Sequence, residues 1–305
     1  MNIKELVYLP WWYFRSVILG KKAPLQSVVF ISDRCNLSCK HCSVYNHKSP
    51  VSKSFAQIRE ELEYCYSLGS RFVDFEGGEP FIWRDGDKTV DDLCDLAREI
   101  GFFSCTITTN AQQDFSGSRA DSIWISMDGV GEFHEQIRGA GTWERLVKNA
   151  ASCGHKALSA NMVVNTLNRP SVRQAAEFVK NNPAFKCISF NMHTPFPGTE
   201  YLALDGKTRV EVIDEIISLK KEGYPIMNSV SGLRRMKDMN FKHCCWMTNF
   251  VFMDGTREAQ CIGPKVGNCP RCGFCMAGEE WAVVHMRPDT LLAGLKLRDC
   301  RRSLS

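Results

Sequence analysis

The chain has 305 residues and a mass of 34.5 kDa, with 44% hydrophobic and 24% charged residues. This composition is typical of globular proteins and excludes fibrous and disordered ones. The 38 Lys and Arg against 34 Asp and Glu leave a net charge of only +4. Because no basic block stands out, nucleic acid is not an expected partner. The length fits one α/β barrel of roughly 200–250 residues with a smaller appendage.

An apolar, aromatic segment occupies residues 6–19. It is too short to cross a bilayer, which takes about 20 apolar residues, and Pro10 and Arg15 interrupt it. It also lacks the basic start and the small-residue cleavage site of a signal peptide. We expect residues 1–24 to form a helix that packs on the domain. The alternative is peripheral membrane contact through its aromatic side chains.

From residue 25 onward, short β-branched runs alternate with helical patterns that stop at glycines. Strands are predicted over residues 27–32, 71–75, 102–108, 122–127, 157–164 and 187–192. Helices are predicted over residues 55–68, 90–100, 142–153, 171–180 and 210–221.

Six strands in this alternation predict an α/β fold with a parallel sheet and right-handed crossovers. A closed barrel of this type has eight units, so we expect a partial (β/α)6 TIM-like barrel over residues 25–228. Functional side chains in such sheets gather at the carboxyl ends of the strands. From about residue 229 the alternation ceases and cysteines crowd in. Residues 229–305 are therefore predicted to form a small, metal-organised C-terminal module.

Cysteine is the unusual residue of this chain, with fifteen copies. Nine fall into two tight groups, a spacing that suits metal ligands better than disulfides. The first group is Cys35, Cys39 and Cys42, and the second is Cys244, Cys245, Cys261, Cys269, Cys272 and Cys275. The scattered ones are expected to be buried small hydrophobes, and they are Cys65, Cys94, Cys105, Cys153, Cys187 and Cys300. Thiolate metal sites indicate a reducing compartment, hence a cytoplasmic protein.

The first group, Cys35, Cys39 and Cys42, lies on one loop directly after the first predicted strand. A closed structural zinc site would need four ligands. Three thiolates on a 4Fe–4S cluster leave one iron open to chelate a ligand with adjacent amino and carboxylate groups. The spacing alone also fits a zinc-related loop, but its position after the first strand of a β/α unit favours the cluster.

A second motif, Gly77-Gly78-Glu79-Pro80, follows the second predicted strand. Two glycines let the backbone approach a ligand closely, and the Glu79 carboxylate can help to hold a ligand ammonium group. Read alone, the motif is a common turn. Here it lies at the same sheet edge as the cysteine loop.

Together the two motifs resemble the radical S-adenosylmethionine (SAM) superfamily, whose hallmarks are Cx3Cx2C after the first strand and GGEP after the second. The resemblance covers residues 28–192. It implies that Cys35, Cys39 and Cys42 hold a 4Fe–4S cluster that coordinates SAM. The residues it implies for SAM binding are His41, Gly77, Gly78, Glu79, Pro80, Ser126, Arg138 and Asn165.

Some of these assignments have structural alternatives. His41 stands where the family usually has an aromatic residue, so its stacking near adenine departs from the family pattern. Ser126 can equally be a hydrogen-bonding residue at the end of a strand, and Arg138 a surface residue in a turn.

The second cysteine group resembles the opening of the SPASM and twitch modules, which bind auxiliary clusters. A hairpin is predicted at Asp254-Gly255, between two of its cysteines. The full SPASM pattern continues as Cx2Cx5Cx3C, whereas this chain has only Cx2Cx2C. We therefore expect one auxiliary 4Fe–4S cluster rather than two, with a structural zinc site as the alternative. The candidate ligands are Cys245, Cys261, Cys269, Cys272 and Cys275.

The resemblance implies reductive cleavage of SAM and attack of the 5′-deoxyadenosyl radical on an unactivated C–H bond. It also implies a one-electron donor of the flavodoxin or ferredoxin type. The SPASM-like tail favours a peptide substrate, the apolar N-terminus keeps a lipid or isoprenoid open, and a small metabolite is third. A non-catalytic iron–sulfur carrier or scaffold would explain the cysteines but not the Gly-Gly-Glu-Pro turn.

Overall fold

One eight-stranded sheet organises the chain in the computed structural model, which describes residues 3–42, 50–237 and 239–299. The strands are β1 Gln26–Ser32, β2 Phe72–Gly77, β3 Ser104–Thr109, β4 Ser122–Ser126, β5 Leu158–Val164, β6 Phe185–Met192, β7 Thr248–Val251 and β8 Arg257–Glu258. The helices are α1 Ile3–Tyr13, α2 Phe55–Leu68, α3 Val90–Ile100, α4 Glu132–Arg138, α5 Thr142–Ser152, α6 Val172–Asn181, α7 Gly206–Lys221, α8 Val230–Arg235, α9 Gly263–Val266, α10 Met276–Val284 and α11 Pro288–Asp299.

The strand order is β6-β5-β4-β3-β2-β1-β7-β8, and the pairs from β1 to β6 are all parallel. The two edge strands, β6 and β8, do not pair with each other, so the sheet is open. This confirms the partial (β/α)6 barrel. The predicted α2 and α3 agree with the structure to the residue, because capping residues mark their ends. Ser54 caps α2, and Gly69 and Gly101 end the two helices with φ of +114° and +116°.

Helix α4 was not predicted. It has only seven residues, lies between Gly131 and Gly139, and is too short to show a helical repeat of apolar positions. Its last residue is Arg138, so this short helix places one of the candidate site residues.

Side chains alternate along the central strands between a dry core and the inside of the barrel. Val73, Phe75 and Ile107 are fully buried and pack with Ile58 and Leu62 of α2. The residues between them keep partial exposure, although they lie within the sheet. We call the inward row the barrel lumen. Its partly exposed members include Gln26, Asp74, Glu76, Thr106, Thr108, Trp124, Ser126, Asn161 and Asn191, and the same face also carries the apolar Val28, Phe30, Phe72 and Val163.

The C-terminal region is joined directly to the barrel sheet. Strand β7 pairs in parallel with β1, and Ser27 donates a hydrogen bond to the Asn249 side chain at 2.6 Å. The predicted hairpin is confirmed: β7 and β8 are antiparallel, with Gly255 at a φ of +83° in the turn. The boundary drawn at residue 229 stays a prediction.

The N-terminal helix packs on the domain through one face only. Trp12 is buried, donates from Nε1 to the carbonyl of Ala23 at 2.9 Å and stacks on Trp246. The opposite face of α1, and of the π-helical segment Phe14–Ile18 that continues it, carries large apolar side chains that are at least half exposed. They are Ile3, Val7, Trp11, Phe14 and Ile18. Within the described residues, no helix combines the length and the apolar character that crossing a bilayer requires.

Most of the scattered cysteines occupy the core, as expected. Cys65, Cys94 and Cys105 are fully buried and Cys153 nearly so, whereas Cys187 is only partly buried. Cys300 lies outside the described residues.

A buried ion pair holds the segment that follows the cysteine loop. Lys53 Nζ lies 2.7 Å from Glu61 Oε2, and both side chains are almost fully buried. We expect Lys53→Met to lower the free energy of unfolding by about 3–5 kcal/mol, because Glu61 is left as an uncompensated buried charge. Urea unfolding measures the loss. Arg169→Met, in the exposed pair with Glu211, is the control and should cost at most about 1 kcal/mol. Equal losses in the two variants would contradict the expectation.

Candidate cofactor site

The glycine turn after β2 is pressed against the backbone that leads into the cysteine loop. Gly78 N donates to the carbonyl of Ser32 at 2.7 Å, and Glu79 N donates to that of Arg34 at 2.8 Å. A Cβ at Gly77 would lie 2.1 Å from Ser32 O, and one at Gly78 would lie 2.0 Å from Arg34 O. Both glycines are therefore required by the approach of two chain segments. This approach sets the turn opposite Cys35.

A cavity of about 130 Å³ opens between the loop and the turn. Most of the residues implied for the cofactors line it together: Cys35, Cys39, His41, Cys42, Gly77, Gly78, Ser126 and Arg138. It is completed by residues outside that set, namely Leu37, Glu76, Thr108, Thr109 and Asn110. Pro80, Glu79 and Asn165 are not among its lining residues.

The thiols of the loop have polar neighbours inside the cavity. The Arg138 guanidinium lies 3.8 Å from Cys39 Sγ, and the Asn110 amide lies 3.7 Å from Cys35 Sγ. Burial raises the pKa of Cys35 and Cys39, and the charge of Arg138 acts in the opposite direction. Lys40 N donates to the carbonyl of Ile137, which ties the loop to the end of α4.

Within the described parts of the chain, no three His, Cys, Asp or Glu side chains are grouped tightly enough to hold a single metal ion. The fit to a 4Fe–4S cluster depends instead on the donor chemistry. Three thiols from one loop line one cavity, with a cation beside them and a glycine turn opposite. Soft thiolates are the ligands that iron–sulfur clusters take. The residues present fit the group.

A buried charge network supports Arg138. Arg138 Nε donates to Asp128 Oδ2 at 2.7 Å, and Asp128 is fully buried. Burial acts to raise the pKa of Asp128, but Arg138, together with His41, His134 and the hydrogen bond from Val163 N, holds that pKa below its usual range. Asp128 also accepts from Val163 N at 3.0 Å. The sequence assigned no role to Asp128, and its position two residues after Ser126 was the available signal.

His41 lies next to this network. Its Nε2 is 3.5 Å from Asp128 Oδ2. Burial lowers its pKa to about 4, against the opposing pull of Asp128. The imidazole is therefore neutral near pH 7, and its role beside adenine stays a prediction.

Donors of the protein itself surround the Glu79 carboxylate. Its carboxylate is buried and accepts hydrogen bonds from Phe81 N at 3.1 Å, Thr109 Oγ1 at 2.7 Å and Asn110 N at 2.7 Å. Burial raises its pKa, and the bonds from Asn110 and Thr109 oppose the rise. The side chain joins the end of β2 to the end of β3. Both carboxylate oxygens thus accept hydrogen bonds from within the protein, and Pro80 is likewise buried beside Glu79.

Asn165 also serves the fold. It is fully buried, its side-chain oxygen accepts from Leu167 N at 2.9 Å, and its amide donates to Val163 O at 3.2 Å. These bonds shape the loop after β5. The contact of Asn165 with SAM stays a prediction.

The last part of the second cysteine group, from Cys272 to Cys275, docks at the carboxyl end of β6. Gly273 N donates to Thr194 Oγ1 at 2.8 Å, and Met192 N donates to Gly273 O at 2.8 Å. A Cβ at Gly273 would lie 1.8 Å from Met192 O, so this glycine is needed for the docking. The end of the second cysteine group, from Cys272 to Cys275, thus lies at the same sheet edge as the first group, whereas Cys245 precedes β7, whose start pairs with the start of β1.

Four of these thiols influence one another. Burial raises the pKa of Cys245, and the charges of Glu280, Cys261, Cys272 and Cys269 raise it further. Burial also raises the pKa of Cys272 to about 11. By contrast, Cys244 packs with Trp12 and Met247 in a small apolar cluster.

The sequence model of the radical SAM superfamily matches residues 29–179 of this chain, from β1 into α6. The chain belongs to the radical SAM superfamily. This confirms the resemblance drawn from the cysteine loop and the glycine turn, and it brings the cofactors of the superfamily, a 4Fe–4S cluster and SAM.

Among curated relatives, the pre-heme d1 synthase of Dinoroseobacter shibae is 28% identical over 176 residues, which are 53% of this chain and 41% of that protein. A probable GTP 3′,8-cyclase of Methanosarcina mazei is 26% identical over 170 residues, 50% of this chain and 49% of that one. The chain thus matches less than half the length of these relatives.

Among solved structures, Streptococcus suis SuiB bound to precursor peptide SuiA superposes with a TM-score of 0.64 at 16% identity. The superposition covers 90% of this chain and 70% of SuiB. At that identity the likeness shows the fold alone, and it extends beyond the barrel into the C-terminal region.

The position of Glu79 gives a test. Glu79→Gln replaces one carboxylate oxygen with an NH2 group, which then faces a donor that the oxygen used to accept from, such as Asn110 N. The free energy of unfolding should therefore fall by about 1–3 kcal/mol. Thermal unfolding measures this, and exposed Glu60→Gln is the control. SAM affinity, measured by equilibrium dialysis, should fall only as far as the folded fraction falls. A variant as stable as the wild type that binds SAM tenfold more weakly would restore the direct contact.

Proposed function

We propose that this protein is a radical SAM enzyme that modifies an unactivated C–H position of a peptide. The observation that supports the activity best is the single cavity lined by Cys35, Cys39, Cys42, the two glycines and Ser126. When bound, the cluster and SAM supply reductive carbon–sulfur cleavage and the 5′-deoxyadenosyl radical.

The residues of the chain hold and shield that chemistry. The main chain at Gly77 and Gly78 lines the cavity, while the Ser32 and Arg34 main chain occupies the positions that side chains at these two residues would take. Ser126 presents a hydroxyl at the end of β4, and Arg138 presents a fixed positive charge beside Cys39. The neutral His41 ring closes the cavity next to Asp128 without adding a charge. A shielded site of this kind excludes water from reactive groups.

The peptide substrate is supported by the likeness in fold to SuiB, whose solved complex contains a precursor peptide. The relatives named as GTP 3′,8-cyclase favour a small metabolite as the second candidate. The exposed apolar face of α1 fits a lipid substrate or contact with a membrane surface, the third candidate. A flavodoxin- or ferredoxin-type donor would supply the electron.

We further propose that Cys245, Cys261, Cys269 and Cys272 hold one auxiliary 4Fe–4S cluster. Their mutual influence supports this set. Both Cys261 Sγ and Cys269 Sγ come within 3.5 Å of a Cβ built at Gly263. Cys275 is fully buried and lies beside Arg209 and Glu279 as well as Cys272, at the border of the group.

The activity is tested by replacing Cys35, Cys39 and Cys42 together with Ala. In anaerobically reconstituted protein, this variant should lose about four iron atoms per chain and all formation of 5′-deoxyadenosine from SAM under reduction. The remaining iron should stay with the C-terminal group. Cys187→Ala, outside both groups, is the control and should keep both properties. Formation of 5′-deoxyadenosine by the triple variant would refute the proposal.

Neighbouring cysteines provide a matched test of the auxiliary site. Cys245→Ala should lower iron by about four atoms per chain and increase protease cleavage after residue 229, since metal binding contributes to the folding of such modules. Cys244→Ala should keep the iron, because that thiol packs with Trp12. Four iron atoms with one zinc in the wild type would replace the auxiliary cluster by a zinc site. Loss of iron from the Cys244 variant alone would overturn the ligand set.

A further inference from the structure

The barrel lumen carries partly exposed polar side chains beside the cofactor cavity. These residues alternate with fully buried neighbours and keep partial exposure, which can only face the hollow inside the sheet. Glu76 belongs to both surfaces, since it also lines the cavity that contains the cysteine loop. Asp74 lies two residues earlier on β2, roughly 7 Å along the strand. The lumen thus continues from the cofactor cavity into the barrel.

Two carboxylates in this lumen have only neutral partners. Asp74 accepts hydrogen bonds from Gln26 and Thr106, and Glu76 accepts one from Thr108. Among the described residues, no Lys, Arg or His forms an ion pair with either of them. The nearest cation of the cavity, Arg138, is engaged with Asp128 at 2.7 Å.

The fold does not require these charges. The corresponding inward positions on the two neighbouring strands carry no charge: they are Thr106 and Thr108 on β3, and Val28 and Phe30 on β1. Burial of a carboxylate without a cation is costly, and here it raises the pKa of Asp74 to about 6 and that of Glu76 to about 7. A cation that binds between the two carboxylates would offset this free-energy cost.

A residue that lines the lumen indicates which kind of cation would bind there. Trp124 on β4 is in register with Thr108, the hydrogen-bond partner of Glu76, and its ring is partly exposed to the hollow. A flat apolar ring two strands away from the carboxylates suits an aliphatic stem that ends in a positive charge.

We propose that Asp74 and Glu76 bind the cationic side chain of a lysine or arginine of the substrate inside the barrel lumen. This inference rests on the proposed function, because it takes the substrate to be a peptide held next to the cofactor. The cationic head would be fixed on β2 and the stem on Trp124. The carbon atoms nearer the peptide main chain would then face the cavity of Ser126 and the glycine turn.

The test uses reconstituted wild-type protein and two probes, N-acetyl-lysine amide and its uncharged analogue N-acetyl-norleucine amide. Binding is followed by saturation-transfer NMR titration. The lysine probe should bind about tenfold to hundredfold more tightly than the norleucine probe, as expected for charge-assisted hydrogen bonds. Asp74→Asn and Glu76→Gln should each reduce this preference, and exposed Asp87→Asn should keep it. Using two separate variants keeps the test valid if one of them fails to fold.

Equal affinities of the two probes for the wild type would overturn the proposal, as would a preference that both variants retain. Formation of 5′-deoxyadenosine from SAM by the same wild-type preparation is measured in parallel. Probe discrimination without SAM cleavage would refute the proposed activity and leave the lumen site standing. SAM cleavage without discrimination between the two probes would support the proposed activity and refute the lumen site.

Discussion

The site depends on one close contact, the approach of the chain after β2 to the chain after β1. Main-chain bonds from Gly78 and Glu79 to Ser32 and Arg34 hold the two segments together, and side chains at positions 77 and 78 would prevent it. The cysteine loop begins at Cys35, directly after Arg34. Because β1 and β2 are parallel neighbours, the cysteine loop and the glycine turn leave the sheet at the same edge and face each other. Glu79 extends the constraint to β3 through Thr109 and Asn110. Three strand ends are thereby fixed relative to one another.

Charge around the cavity is distributed unevenly. On the thiol side, Arg138 is balanced by Asp128, and neither can leave without exposing the other as a buried charge. On the lumen side, Asp74 and Glu76 have no such balance among the described residues. The thiol side of the cavity therefore has a balanced ion pair, Arg138 with Asp128. The lumen side has two carboxylates, Asp74 and Glu76, without a cationic partner among the described residues. This difference separates residues that hold the site from residues available to a ligand.

The sequence predicted features that depend on local chemistry. The bounds of α2 and α3 follow from caps within a few residues, and the cysteine loop and glycine turn are contiguous motifs. Features that depend on distant partners were not predictable. The role of Glu79 was set by a strand thirty residues later, and that of Asn165 by its own loop geometry. The lumen carboxylates gave no signal, because a strand pattern shows which residues share a face but not whether that face meets a cation.

The pairing of β1 with β7 has a consequence for the newborn chain. Ser27 and its partner Asn249 are 222 positions apart. During translation, β1 therefore emerges long before its second neighbour exists, and one side of it remains an open strand edge that can accept a foreign strand. Contacts of such long range also slow folding. The period in which the polypeptide is prone to aggregate ends only when the ribosome has released the segment that contains β7.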